Sequence, residues 1–141
     1  MSRFLLVSVA GWLAVLAVGV EIALPYVLRN VLKRQAASAS DGSCARGVVN
    51  LRARMWPHYW LGYVILALVL IHSSFVMGPA MGRADAVGIW AATFALCLLF
   101  VQLGLGLVMK SGTSPPSTRR WHFWTMIGLV AFILTHVLRN S

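Results

Sequence analysis

The sequence predicts an all-α integral membrane protein, a four-helix bundle in a single domain over residues 1–141. Hydrophobic residues make up 60% of the chain and charged residues only 11%, a balance that ordinary soluble domains do not show. Four stretches carry almost no charge, and each approaches the ~20 residues that a helix needs to cross a bilayer. We predict helices over residues 4–28, 56–79, 86–109 and 121–139.

The first helix is expected to remain in the protein, since its apolar region is longer than that of a secretory signal. No small-residue cleavage site precedes Glu21 within it. Residues 29–55 then form the longest predicted loop, whose centre is rich in Ser, Ala and Gly. We expect this loop to lie in the cytoplasm.

The other two connections are short and carry helix-end chemistry. Asp85 stands where a side chain would cap the third helix. Pro115 and Pro116 interrupt the third connection before the last apolar stretch. With connections this tight, the second and fourth helices run in the same direction.

The basic residues predict the orientation of the chain. The net charge is +9, but the cations lie in the connections and not along one soluble face, so we expect no nucleic-acid partner. The first and third connections hold nine of the 12 Lys and Arg residues. By the positive-inside rule, these loops are cytoplasmic and both termini face outward. We expect a multi-pass protein of a bacterial-type plasma membrane, surrounded by lipid.

The four histidines of the chain form two pairs, His58 with His72 and His122 with His136, and the spacing within both pairs is 14 positions. This spacing brings a helix back to within about 40° of the same face and advances it by about 21 Å. The helices are parallel, and both offsets between them are 64 positions. We therefore predict that His58 faces His122 near the cytoplasm (the inner histidines) and His72 faces His136 (the outer histidines).

Facing imidazoles in an apolar bundle are what a bis-histidine haem requires, so we predict two haem b groups per chain. The histidines would ligate the iron, without covalent attachment because no Cys-x-x-Cys-His motif is present. For a single membrane histidine, an interhelical hydrogen bond or a water-filled cavity would be the better explanation, whereas four histidines in two equally spaced pairs favour haem ligation. Four arginines near the inner histidines are candidates for the propionates, or are ordinary positive-inside anchors: Arg52, Arg54, Arg119 and Arg120.

Glu21 is the sole carboxylate inside an apolar stretch. An acid within a membrane is a candidate for a proton relay or a quinone site. The alternative is that Glu21 pairs with an arginine of the following loop near the membrane surface.

With its histidines at these positions, the chain resembles the di-haem four-helix module of the cytochrome b family of the bc and bf complexes. In that family the second and fourth helices each carry two histidines separated as here. The residue match covers the four histidines, and the topology match covers nearly the whole chain. The resemblance implies electron transfer across the membrane, between a quinone or quinol and a redox protein or another membrane subunit.

Other functions stay open at this point. A stand-alone ferric-reductase-like protein or a superoxide/quinone oxidoreductase also holds haem between paired histidines. A non-redox membrane subunit, with histidines that pack structurally or bind a transition metal, belongs to a different class. The sequence leaves undecided whether the chain is a carrier or a quinone-linked oxidoreductase subunit, and whether it forms a homo-oligomer.

Overall fold

The computed structural model describes residues 3–38, 55–76, 85–111 and 114–140. Within these ranges the chain forms four α-helices: α1 (Arg3–Ser38), α2 (Trp56–Val76), α3 (Ala86–Lys110) and α4 (Pro116–Asn140). Each contains a segment long and apolar enough to cross a membrane, namely Val7–Val31, Trp56–Val76, Ala86–Lys110 and Pro116–Asn140. This confirms the prediction of an all-α chain with four membrane-length helices.

The first helix is longer than predicted. The predicted end is residue 28, with a loop over residues 29–55, whereas α1 continues to Ser38. The loop prediction is therefore wrong for residues 29–38. This decapeptide, RNVLKRQAAS, contains neither Gly nor Pro and is rich in good helix formers. Lys33 and Arg34 end the apolar stretch, but they do not end the helix, which continues to Ser38.

The fourth helix begins at Pro116, several residues before the predicted start at residue 121. Proline suits the first turn of a helix because its missing N–H has no intrahelical partner there. The backbone N–H of Thr118 donates to the carbonyl of Pro115 at 3.0 Å, as expected at a helix start. The bounds of α3 agree with the prediction to one residue, and the predicted end of the second helix at residue 79 lies outside the described residues.

Asp85 caps α3, as the sequence predicts. Its backbone is extended (φ −63°, ψ 132°), and its side chain accepts a hydrogen bond from the N–H of Gly88 at 3.2 Å. The cap satisfies one of the N–H groups that the first turn of a helix leaves without an intrahelical partner.

The chain divides into two compact units, Met1–His72 and Ser73–Ser141. In the second unit, α3 and α4 pack against each other in antiparallel directions. The rings of Phe94 and Phe132 stack with centroids 5.3 Å apart, and a Cβ atom on Gly128 would lie 3.2 Å from Leu98. Small side chains allow two membrane helices to approach closely, and α3 buries a stripe of them, followed by a leucine: Gly88, Ala91, Ala95 and Leu99.

Buried positions correspond between the pair α1 and α2 (the first hairpin) and the pair α3 and α4 (the second hairpin). Ala10 and Ala14 are buried on α1, and adding 81 to their numbers gives Ala91 and Ala95 of the buried stripe on α3. Ile65 of α2 is only 1% exposed, and adding 64 to its number gives Leu129 of α4, which is also buried. Each hairpin therefore buries residues at corresponding positions, with an offset of 81 on its first helix and of 64 on its second.

Candidate functional site

His72 is held by the backbone of α1. Its Nδ1 lies 3.0 Å from the carbonyl oxygen of Val7. A carbonyl can only accept a hydrogen bond, so Nδ1 carries the proton of the neutral ring and Nε2 keeps its lone pair. Histidines that bind metal usually donate their other ring N–H in this way, which fixes both the tautomer and the ring orientation.

Gly11 supports the same ring from below. A Cβ atom at Gly11 would lie 3.1 Å from both Cε1 and Nδ1 of His72, closer than side chains ordinarily pack. The imidazole therefore lies directly on the backbone of α1, one turn after Val7, and a side chain at position 11 would push it away.

His136 makes the corresponding carbonyl contact in the second hairpin, where Ala92 stands at the position of Gly11. Its Nδ1 lies 2.9 Å from the carbonyl oxygen of Gly88, so here too Nε2 keeps the lone pair. The amide nitrogen of Asn140 donates to the carbonyl of His136 at 2.9 Å and lies 3.3 Å from its Nδ1. Because Nδ1 donates its proton to the carbonyl of Gly88, the approach of the Asn140 nitrogen to Nδ1 is a contact between two donors and not a hydrogen bond.

The two carbonyls occupy corresponding positions. Adding 81 to the number of Val7 gives Gly88, the same offset that relates the buried alanines of α3 and α1. Adding 64 to the number of His72 gives His136. Each hairpin thus presents its outer histidine with Nδ1 bound to the neighbouring helix, and with Nε2 as the nitrogen that would ligate a metal.

His58 contacts the one acid of the apolar stretches. Its Nδ1 lies 3.5 Å from Oε1 of Glu21, and the two side chains are only 17% and 22% exposed. Glu21 follows Val7 by 14 positions and His58 precedes His72 by the same interval, so the two contacts show that α1 and α2 are antiparallel. Among the described residues, the ion-pair partner of Glu21 is this histidine and not an arginine of the predicted loop. Its proposed role at a proton or quinone site stays a prediction.

His122 is half-buried on α4, and the residue that corresponds to Glu21 in its hairpin is Gln102, 81 positions later. Gln102 accepts a hydrogen bond from Thr125, which lies one turn after His122. The hydroxyl of Thr125 also lies 3.1 Å from the carbonyl oxygen of His122. The two hairpins therefore place different chemical groups at this otherwise matching position.

The predicted propionate arginines are only partly described. Arg119 and Arg120 are exposed in the first turns of α4, while Arg52 and Arg54 lie outside the described residues. Arg120, Trp121 and Trp124 line a shallow pocket of about 320 Å³ together with Ser117. The assignment of these arginines to propionates stays a prediction.

The tautomers of the two outer histidines are compatible with haem ligation. Within the described ranges, no group of three or more His, Cys, Asp or Glu residues could hold a metal ion. Axial ligation of a haem needs only two imidazoles for each iron, because the macrocycle supplies the other ligands. The two outer histidines have the tautomer that such ligation requires.

No protein-family model matches this chain, and no curated protein or solved structure matches it either. The resemblance to the cytochrome b family therefore depends on the four histidines and the order of the helices. Any functional inference has to come from the chain itself.

Sequence reasoning did not identify the two carbonyls as histidine partners. Every residue has a carbonyl, so Val7 and Gly88 carry no signal of residue type. A signal was nevertheless present: Glu21 and Gln102 are polar residues inside apolar helices and are separated by 81 positions. The offset of 81 between these two residues aligns α1 with α3, just as the offset of 64 between the histidines aligns α2 with α4.

Proposed function

We propose that this chain is a bis-histidine, di-haem b-type cytochrome that transfers electrons across the membrane. In this proposal His58 and His122 ligate one haem, and His72 and His136 ligate the other. The observation that carries it is the pair of matching hydrogen bonds from the outer histidines to the carbonyls of Val7 and Gly88. Both bonds put the ring proton on Nδ1, so the lone pair of Nε2 is the one that would ligate iron.

The competing explanation is that the histidines serve only helix packing. One histidine bonded to a carbonyl would fit that explanation well. Two at corresponding positions of a repeat, each accompanied by a second histidine at the same spacing on its own helix, favour a shared chemical task. A polar ring inside a membrane is costly, and four rings kept in register are better explained by ligation than by packing.

The chain would act mainly by positioning the cofactor. When bound, haem supplies one-electron chemistry. The carbonyls of Val7 and Gly88 orient the outer imidazoles, and Arg119 and Arg120 are candidates to bind propionates on the cytoplasmic side. The separation of about 21 Å between the histidines of each helix sets up a two-step transfer between the membrane surfaces.

The partners follow from the resemblance and form part of the proposal. A quinone or quinol would exchange electrons at one surface, and a redox protein or a further membrane subunit at the other. The proposed setting is a bacterial-type plasma membrane with both termini outward, in which the chain works with other subunits or as a homo-oligomer.

The test is haem quantitation on the purified protein. We expect two haems per chain by pyridine haemochrome and a reduced-minus-oxidised α-band. His72→Ala and His136→Ala should each lose one haem and keep the haem of the inner histidines. The matched controls are Leu70→Ala and Leu134→Ala, on the same helices, whose side chains are 45% and 56% exposed. Both controls should retain two haems.

Two results would contradict the proposal. A folded but colourless protein would exclude haem binding and favour the non-redox alternative. Retention of both haems in His72→Ala and in His136→Ala would show that the pairing of the outer histidines is wrong.

A further inference from the structure

The two hairpins match at their outer histidines and in their buried alanines, but they differ in the polar residue at positions 21 and 102. Glu21 of α1 lies with Oε1 3.5 Å from Nδ1 of His58. Its counterpart on α3 is Gln102, whose amide oxygen accepts a hydrogen bond from Thr125. The repeat therefore places a carboxyl group against one inner histidine and a neutral amide at the equivalent place in the other hairpin.

A carboxyl oxygen next to Nδ1 has a definite effect on an imidazole that binds metal through Nε2. An ionised carboxyl group beside Nδ1 favours the tautomer that carries the proton on Nδ1 and leaves Nε2 unprotonated, and it restrains the ring plane. A carboxylate also accepts more strongly than a carbonyl, so it makes the imidazole a more basic ligand. A more basic ligand favours the ferric state and lowers the reduction potential of the haem.

We propose that Glu21 is a positioning residue for His58, and that it gives the haem bound by His58 a lower reduction potential than it would otherwise have. This inference depends on the proposed function, because it concerns one ligand of that site. The equal spacing on both helices supports it. It places Glu21 opposite His58 in the same register that places Val7 opposite His72. Since His58 ligates only one of the two proposed haems, a single substitution at position 21 should affect that haem and leave the haem of His72 and His136 unchanged.

The first experiment is a spectroelectrochemical titration of the haem-loaded protein. Glu21→Leu should raise the midpoint potential of one haem by at least about 59 mV, which is a tenfold change in a one-electron redox equilibrium. Alternatively, this variant should lose that haem and keep the other. Glu21→Gln keeps an acceptor oxygen and should retain both haems, with a smaller shift. Val20→Ala, whose native side chain is 55% exposed beside Glu21, is the matched control and should leave both potentials unchanged.

Glu21→Leu is a suitable variant because leucine enters a membrane helix far more readily than an acid does. Insertion and folding should not suffer. If Glu21→Leu retains both haems at their native potentials, the inference is overturned.

The second experiment uses haem-free protein and reads the tautomer of His58 by ¹⁵N NMR in lipid bilayers. The native chain and Glu21→Gln should show a protonated Nδ1, whereas Glu21→Leu should show the other tautomer or a mixture. His72 is an internal control, since its acceptor is the backbone carbonyl of Val7, which no side-chain substitution removes.

The two experiments distinguish a failure of the proposed function from a failure of the role proposed for Glu21. A chain that never binds haem would contradict the proposed function, while the tautomer of His58 would still test its contact with Glu21. An unchanged tautomer in Glu21→Leu would refute the positioning role even in a protein that binds two haems.

Discussion

At the scale of single residues, the informative contacts are those that determine which nitrogen of an imidazole carries the proton. The carbonyls of Val7 and Gly88 do so for His72 and His136. Because both acceptors belong to helix backbones, the tautomer is secured whatever side chain stands at position 7. The orientation of each outer ring therefore depends on how closely the two helices of its hairpin approach.

Gly11 provides a direct test of that approach. An alanine normally stabilises a helix interior by about 1 kcal/mol relative to glycine, but at position 11 its methyl group would lie 3.1 Å from the ring of His72. We expect crowding of this kind, which costs about 1–3 kcal/mol, to cancel the gain and lengthen the bond to Val7. The measurement is the thermal unfolding temperature of Gly11→Ala together with its haem content.

Gly19→Ala is the matched control on the same helix. A Cβ atom at Gly19 has no heavy atom of the described structure within 4 Å, so this variant should gain the normal helix stabilisation and unfold at a higher temperature than Gly11→Ala. Equal unfolding temperatures for the two variants would show that the ring of His72 does not lie on the backbone at Gly11.

The histidines could be identified from the sequence because their residue type and spacing both carry information. The groups that contact them could not, since two are backbone carbonyls and the third, Glu21, had a loop arginine as another credible partner. Which histidine a carboxyl group on an apolar helix contacts can be predicted only when the register between α1 and α2 is known. That register depends on how the helices pack, and local sequence patterns do not encode it.

At the scale of elements, the start of α3 links a helix cap to an outer histidine. Asp85 accepts from the N–H of Gly88 at 3.2 Å, and the carbonyl of the same Gly88 binds His136 at 2.9 Å. Arg139 of α4 lies 3.8 Å from Asp85. The first turn of α3 is thus held through both backbone polar groups of one residue.

Loss of this cap should destabilise the second hairpin. We expect Asp85→Ala to lower the free energy of unfolding by about 1 kcal/mol, the usual cost of removing a capping side chain. Asp85→Asn keeps a capping oxygen and should remain near the native value. The ion pair with Arg139 is exposed on both sides, and such pairs contribute about 0–1 kcal/mol. Chemical denaturation in detergent measures both variants, and a loss in Asp85→Asn as large as in Asp85→Ala would assign the effect to the charge.

The helix ends show what hydropathy can predict. The apolar stretches located all four helices, and the α3 bounds agree to one residue. The errors at α1 and α4 both arose where the helix continues through polar residues, over residues 29–38 and from Pro116 to the tryptophan at 121. Hydropathy reports where a helix could meet lipid, whereas helix propensity and capping determine where it ends.

At the scale of the whole molecule, the chain contains two hairpins with the same internal plan. Each has buried alanines on its first helix, and each has an outer histidine bonded to a carbonyl of that helix. The connections differ in length, which is why the offsets are 81 for the first helices and 64 for the second. The repeat preserves the contact of the outer histidine in both hairpins, but not the group at the position of Glu21, which is Gln102 in the second hairpin.

The proposed orientation of the chain can be tested through its two cysteines. Cys44 belongs to the basic first connection, which we predict to be cytoplasmic, and the exposed Cys97 lies within the membrane-length helix α3. A membrane-impermeant maleimide should therefore label inside-out vesicles at Cys44 and leave intact spheroplasts unlabelled. Cys44→Ser should abolish labelling, and Cys97→Ser should not change it, because lipid shields a thiol in the middle of a spanning helix. Labelling of Cys44 in intact spheroplasts would reverse the orientation, and would place His58 and His122 on the outer side.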